Sequence, residues 1–131
     1  SVRDDMTAAM ETGAGIYRTD ESLRATSRRL TELRERFARI GLDDHTSVHN
    51  TELTTLLELD FMLDIAQALA CSALARTESR GSHQRIDHPD RDDVRFLAHS
   101  LAYRTEGDPR IEYSDVTITR WPPGDRVYGN N

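Results

Sequence analysis

Between Asn50 and Thr77 the chain places apolar residues where no single helical stripe can hold them: Leu53, Leu56, Leu57, Phe61, Leu63, Ile65, Ala66, Leu69, Ala73 and Leu74. A helix that is apolar on more than one face has to be covered on more than one side. This stretch is therefore read as the central element of a helical domain, capped by Asn50, with Asp60 and Asp64 on its remaining strip and Leu63, Ala66, Leu69 and Ala73 along its packed face. It runs directly into a polar segment, Ala75 to Asp93, in which four arginines and two histidines alternate with carboxylates.

Two further helices precede it. Residues 2–12 put Val2, Met6, Ala9 and Met10 on one face, and Gly13 and Gly15 stop them. A second helix opens at Thr19 or Asp20 and runs to about Ile40, with Leu23, Thr26, Leu30, Leu33, Phe37 and Ile40 spaced alternately by three and four. Residues 42–50 are a polar connection. After the arginine-rich loop the period shortens: Leu97, His99, Leu101 and Tyr103 alternate, as do Ile111, Tyr113, Val116 and Ile118, across a Glu106-Gly107-Asp108-Pro109 turn. A helical turn near Asp92 to Phe96 precedes this hairpin, and Trp121-Pro122-Pro123-Gly124 opens an extended tail. The expected fold is mainly α, an up-down-up three-helix bundle followed by a short C-terminal β-hairpin and tail. The 131 residues fit a single domain: bundle to about residue 80, arginine-rich loop about 78–93, hairpin and tail about 94–131.

Composition removes several classes of function. A formal charge of −6 argues against nucleic-acid binding, which wants a basic face. No apolar run reaches the ~20 residues that cross a bilayer, so direct membrane insertion is not expected. Gly13-Ala14-Gly15 ends a helix where a dinucleotide fingerprint must begin one. His45 and His49 follow Asp43 and Asp44 in a loop that lacks the pattern of a zinc site, and His83, Asp87 and His88 have nothing to complete a tetrahedral shell; no metal is expected. Ser79 or Ser82 with His83 and Asp87 lacks the strand-to-helix elbow of a nucleophilic serine. Cys71 is a lone cysteine on an apolar helix, where the thiol behaves as a small hydrophobe. For the arginine-rich loop, composition leaves two readings open: a solvated charged turn, or a docking surface whose guanidinium forks suit carboxylates and carbonyls.

The residue order Ala75-Arg76, Glu78-Ser79-Arg80-Gly81, His83, Arg85, Asp87, Pro89, Arg91-Asp92-Asp93, Phe96-Leu97, His99 and Arg126-Val127-Tyr128-Gly129 resembles the C-terminal domain of the flavoprotein subunit of fumarate reductase and succinate dehydrogenase. The resemblance extends upstream through Gly13, Gly15-Ile16-Tyr17-Arg18, Leu33-Arg34-Glu35-Arg36-Phe37 and Ser47-Val48-His49-Asn50-Thr51. Ile16-Tyr17-Arg18 and Ile111 to Val116 look more like the fumarate reductase branch. The resemblance implies a parent oxidoreductase that interconverts fumarate and succinate at FAD and exchanges electrons with quinone through an iron-sulfur subunit. It implies a cytoplasmic place at the inner face of the plasma membrane, within a membrane-anchored complex.

No catalytic or FAD-binding motif of that family can be placed here, so no catalytic and no cofactor-binding residue is assigned, and the chain alone is not expected to catalyse. It is read as a C-terminal fragment of a larger flavoprotein or an engineered piece of one, packed beside the flavin and capping domains. Arg80, His83, Arg85, Arg91 and Arg126 are the residues expected to brace that interface, in a loop whose charges water could satisfy in the fragment. Two alternatives remain: the tail of an L-aspartate oxidase-type flavoprotein, which has a similar Glu-Ser-Arg-Gly segment, and a stand-alone helical interaction module.

Overall fold

The first two helices start by the same device. Ser1 Oγ accepts the amide of Asp4 while the Asp4 carboxylate accepts from the Ser1 nitrogen, and Thr19 and Ser22 repeat the reciprocal arrangement. Each box satisfies helix N-H groups that have no partner within the helix. The third helix uses Asn50 alone, whose Oδ1 accepts from the Leu53 amide at 2.8 Å. The computed structural model describes residues 1–41, 45–46 and 48–124. Its helices are α1 (Val2–Gly13), α2 (Asp20–Phe37) and α3 (Thr51–Ala75).

The helix in the middle of the bundle is α2, which packs against both α1 and α3 while those two barely meet. Val2 and Met6 from α1, Leu30 and Leu33 from α2, and Leu59, Leu63, Ala66 and Ala70 from α3 form the main core. A second cluster joins Ala14, Leu23 and Ala73 at the other end. Close approach of α1 and α2 explains Gly13: a Cβ there would lie 1.9 Å from Thr26 Oγ1. Thr26 is held in place by donating to the Ser22 carbonyl at 2.9 Å.

Three sequence expectations are corrected here. First, α2 ends at Phe37, and Ile40 is exposed after a short turn instead of continuing the seam. Second, α3 ends at Ala75, with Arg76 as its extended C-cap, two residues before Thr77. Third, α3 is not the central helix. Lying at the edge of the bundle, it buries Leu63, Ala66 and Ala73 but leaves Leu69 41% exposed on its outer side.

The hairpin forms as expected. Strands β3 (Ala98–Tyr103) and β4 (Arg110–Asp115) pair antiparallel, from Ala98 opposite Asp115 to Tyr103 opposite Arg110. Val116 and Ile118 lie beyond the ladder. The Phe96 amide donates to the Asp92 carbonyl, closing the single helical turn before the hairpin. Unforeseen in the sequence is a short parallel ladder between β1 (Tyr17–Arg18), which joins α1 to α2, and β2 (Gln84–Arg85), inside the arginine-rich loop. No helix among the described residues is long and apolar enough to cross a membrane.

Candidate functional site

The arginine-rich loop folds around a buried carboxylate. Glu78 has no exposed side-chain surface, and both of its oxygens are occupied. Oε1 accepts from Arg76 Nη1 at 2.6 Å and Arg80 Nε at 2.8 Å; Oε2 accepts from Arg80 Nη2 at 3.0 Å and the Asp92 amide at 2.8 Å. Burial alone would raise the Glu78 pKa, but the Arg80 guanidinium, the Asp92 amide and Arg76 together outweigh it and hold the carboxyl below its ordinary value. Arg76 carries the tie onward to the hairpin. It donates to the carbonyls of Phe96 and Ala98 and to Ser100 Oγ, and its guanidinium lies over the rings of Phe96 and Tyr113, themselves in edge contact.

A second ion pair, between a buried arginine and an exposed aspartate, joins two helix ends. No basic residue occupies the last turn of α3. The guanidinium of Arg85, fully buried, supplies that charge from another segment: Nη1 faces the carbonyls of Ala73 and Leu74 at 3.2 Å and of Arg76 at 3.4 Å. A cation at this position satisfies carbonyls left over at a helix C-terminus and complements the helix dipole. The remaining donors of Arg85, Nε and Nη2, form a two-pronged pair with Asp87, both at 2.8 Å. Asp87 Oδ2 in turn accepts from the Asp20 amide at the start of α2. The Arg85 guanidinium holds the Asp87 carboxyl far below the usual carboxylate range. Ser79 fixes the loop around this pair, accepting the Arg85 amide and donating to the His88 carbonyl, each at 2.8 Å.

His83 ties the loop to β1. Its Nδ1 faces Arg18 Nη1 at 2.9 Å and its Nε2 faces the Arg76 carbonyl at 3.0 Å. It follows a two-residue turn in which Gly81 takes φ +58°, a left-handed conformation that glycine tolerates best. Arg91 pairs with Asp93 and donates to the Gly124 carbonyl. Arg126, with Val127, Tyr128 and Gly129, lies outside the described residues, as do Asp43, Asp44 and Ser47. The expectation that this loop leaves its charges to water is thus corrected: Arg80, His83 and Arg85 are bonded within the domain. The sequence pointed to the arginines but passed over the groups that organise them, Glu78, Asp87, Arg76 and Arg18. A usable signal was local: Glu78 stands two residues from both Arg76 and Arg80, and Asp87 two from Arg85.

The unsatisfied surface lies elsewhere. On α3, opposite the buried face, Leu57, Phe61, Ile65 and Leu69 recur every four residues, with Phe61 59% and Ile65 66% exposed. Met62 adds to the same side. Side chains at this spacing adjoin one another along a helix, so the outer face of α3 is a continuous apolar strip.

Among the described residues no group of three or more His, Cys, Asp or Glu side chains could hold a metal ion; His45 and His49 are both exposed. Gly13 ends α1 against Thr26 and Gly15 follows it against the Glu11 carbonyl, so they make no phosphate cradle.

The model of the fumarate reductase flavoprotein C-terminal region matches residues 3–128. Over 129 residues the chain is 55% identical to the fumarate reductase flavoprotein subunit of Mycobacterium tuberculosis, covering 98% of this chain and 22% of that protein. Identity to the succinate dehydrogenase flavoprotein subunit of Rickettsia bellii is 36%, across 97% of this chain and 23% of that one. A solved structure of Escherichia coli quinol fumarate reductase superposes with a TM-score of 0.91 at 52% identity, over 99% of this chain and 23% of its own. The chain therefore spans about a fifth of the length of the relatives it matches.

Proposed function

From the premise that this chain belongs to the fumarate reductase flavoprotein C-terminal family, we propose that it is the helical docking domain of a flavoprotein that interconverts fumarate and succinate. In that reading, chemistry occurs at FAD held by the flavin and capping domains of the parent, and electrons pass to or from quinone through an iron-sulfur subunit. The complex works at the inner face of the plasma membrane. The described residues of this chain do not fit FAD: Gly13 packs the crossing of α1 and α2 and Gly15 lies against the Glu11 carbonyl, so neither cradles phosphate. No step of the reaction is assigned to them.

The observation that carries the docking role is the outer strip of α3. Leaving Leu57, Phe61, Ile65 and Leu69 in water forgoes roughly 1.5 to 3 kcal/mol for each side chain that a partner surface could bury. The flavin domain of the parent is the proposed partner. The arginine-rich loop contributes by holding the end of α3, β1 and the hairpin in one rigid arrangement, so that the strip is presented in a fixed position. Arg91 of the loop and Arg126 of the C-terminal tail are kept as residues proposed to meet the flavin domain directly.

The test is Phe61→Glu with Ile65→Glu in the full-length flavoprotein. Loss of flavin retention and of fumarate reduction, with the isolated domain still folded, supports the reading. Normal flavin content and activity would reject the strip as the docking surface.

A further inference from the structure

The two nitrogens of His83 have opposite partners. Arg18 Nη1, at 2.9 Å, can only donate, so Nδ1 has to accept; the Arg76 carbonyl, at 3.0 Å, can only accept, so Nε2 has to carry the proton. This fixes a neutral imidazole with one defined tautomer. Arg18, half-buried, makes its other bond to the Gly15 carbonyl. The charged groups arrayed around the ring are Arg18 from β1, Arg76 from the end of α3 and Arg85 from β2. Arg76 and Arg85 are neutralised by Glu78 and Asp87, whereas Arg18 meets His83 with no carboxylate between them.

We infer that His83 is an acid-released latch between the α1–α2 connection and the arginine-rich loop. A proton taken from water by the Nδ1 lone pair would turn the ring's single acceptor into a donor aimed at the Arg18 guanidinium. Two N-H donors and two positive charges would then face each other at hydrogen-bond distance, partly out of water, where repulsion is strong. The contact that yields is the one between β1 and β2, because it is a parallel ladder of two residue pairs, flanked by Gln84 N-H to the Ile16 carbonyl at 3.1 Å and Ile86 N-H to the Arg18 carbonyl at 2.9 Å and backed by the Asp20 amide on Asp87. Ile16, Tyr17 and Ile86 around this ladder are all well exposed, so little apolar burial opposes its opening.

The direction of the pH effect follows from the ring's surroundings. Burial lowers the His83 pKa, the bond to the Arg76 carbonyl pushes it back up, and the charges of Arg18, Arg85 and Arg76 lower it further, leaving it below the ordinary value. The open state therefore binds a proton at higher pH than the latched state does. Above about 6.5, the unperturbed histidine value, both states are neutral and the latch holds; below it, acid favours the open state until the latched ring itself titrates.

The test is nuclear magnetic resonance on the chain between pH 7.5 and 5. At pH 7.5 the His83 ring should show a protonated Nε2 and a bare Nδ1. As the pH falls through the histidine range, exchange protection of the Gln84 and Ile86 amides, corrected for intrinsic rates, should drop at least tenfold relative to amides in the middle of α2. His83→Gln, which cannot titrate, should abolish that difference. A proton on Nδ1 at pH 7.5, a ring titrating at or above the ordinary value, or Gln84 and Ile86 protection that follows α2 would each overturn the latch. The first two readouts use the wild-type chain and stand even if His83→Gln fails to fold.

Discussion

The arginine-rich loop and the outer strip of α3 invert what their compositions suggest. The loop is crowded with charge and looks built for a partner, yet Glu78, Arg80, Arg85 and Asp87 bond to one another and to helix ends within the domain. The strip reads as core, yet Phe61 and Ile65 are mostly exposed. Position explains the inversion. Charges that can reach each other across a two-residue turn satisfy themselves, whereas an apolar helix at the edge of a bundle can bury only the face toward its neighbour.

The contrast breaks most sharply at Glu78. Replacing it by alanine removes the shared acceptor of Arg76 and Arg80, leaving the largely buried Arg76 without a carboxylate and Arg80 with Asp93 alone, which should cost about 3 to 5 kcal/mol in chemical denaturation. A loss below about 1 kcal/mol would mean that the loop is the solvated turn its composition allows.

Within α3 itself the two faces can be set against each other. Leu63→Ala should cost about 2 to 5 kcal/mol, because Leu63 is buried in the main core. Leu69→Ala, on the outer strip, should stay within about 1 kcal/mol. Equal losses in the denaturation midpoint would erase the distinction between an inner and an outer face.

Gly13→Ala sharpens the account of why α2 is central. A methyl group placed against Thr26 should force α1 away from α2 and cost about 1 to 3 kcal/mol; an unchanged melt would show that the crossing is looser than the geometry implies. Smaller still is the acid response of the Arg85–Asp87 pair. The folded Asp87 carboxyl sits far below its unfolded value of 3.8, so its contribution is complete above that value and fades as pH falls below it. Asp87→Asn should therefore flatten the stability-against-pH curve below pH 4. A parallel curve would place the acid sensitivity elsewhere.

Much of the scaffold was legible because its signals are local. Thr19 and Asn50 mark helix starts, Leu23 to Leu33 mark a seam, and Glu106-Gly107-Asp108-Pro109 marks the hairpin turn. The β1–β2 ladder was not, since two-residue strands have no period and their pairing spans more than sixty residues. Nor was the edge position of α3: multi-sided apolarity says that a helix must be covered, without saying whether its own domain supplies the cover. The pairing within the loop escaped notice because counting arginines does not show which carbonyls and carboxylates they reach.

The claim that the loop braces while the strip docks is tested most directly by melting two variants of this chain side by side, with flavin content then measured for the same changes in the full-length flavoprotein. Arg80→Ala, which strips Glu78 of two bonds, should lower the melting temperature of the chain, while Ile65→Glu should leave it nearly unchanged. In the full-length protein Ile65→Glu should still release flavin. The opposite pattern, a chain indifferent to Arg80→Ala beside a full-length protein indifferent to Ile65→Glu, would contradict the account.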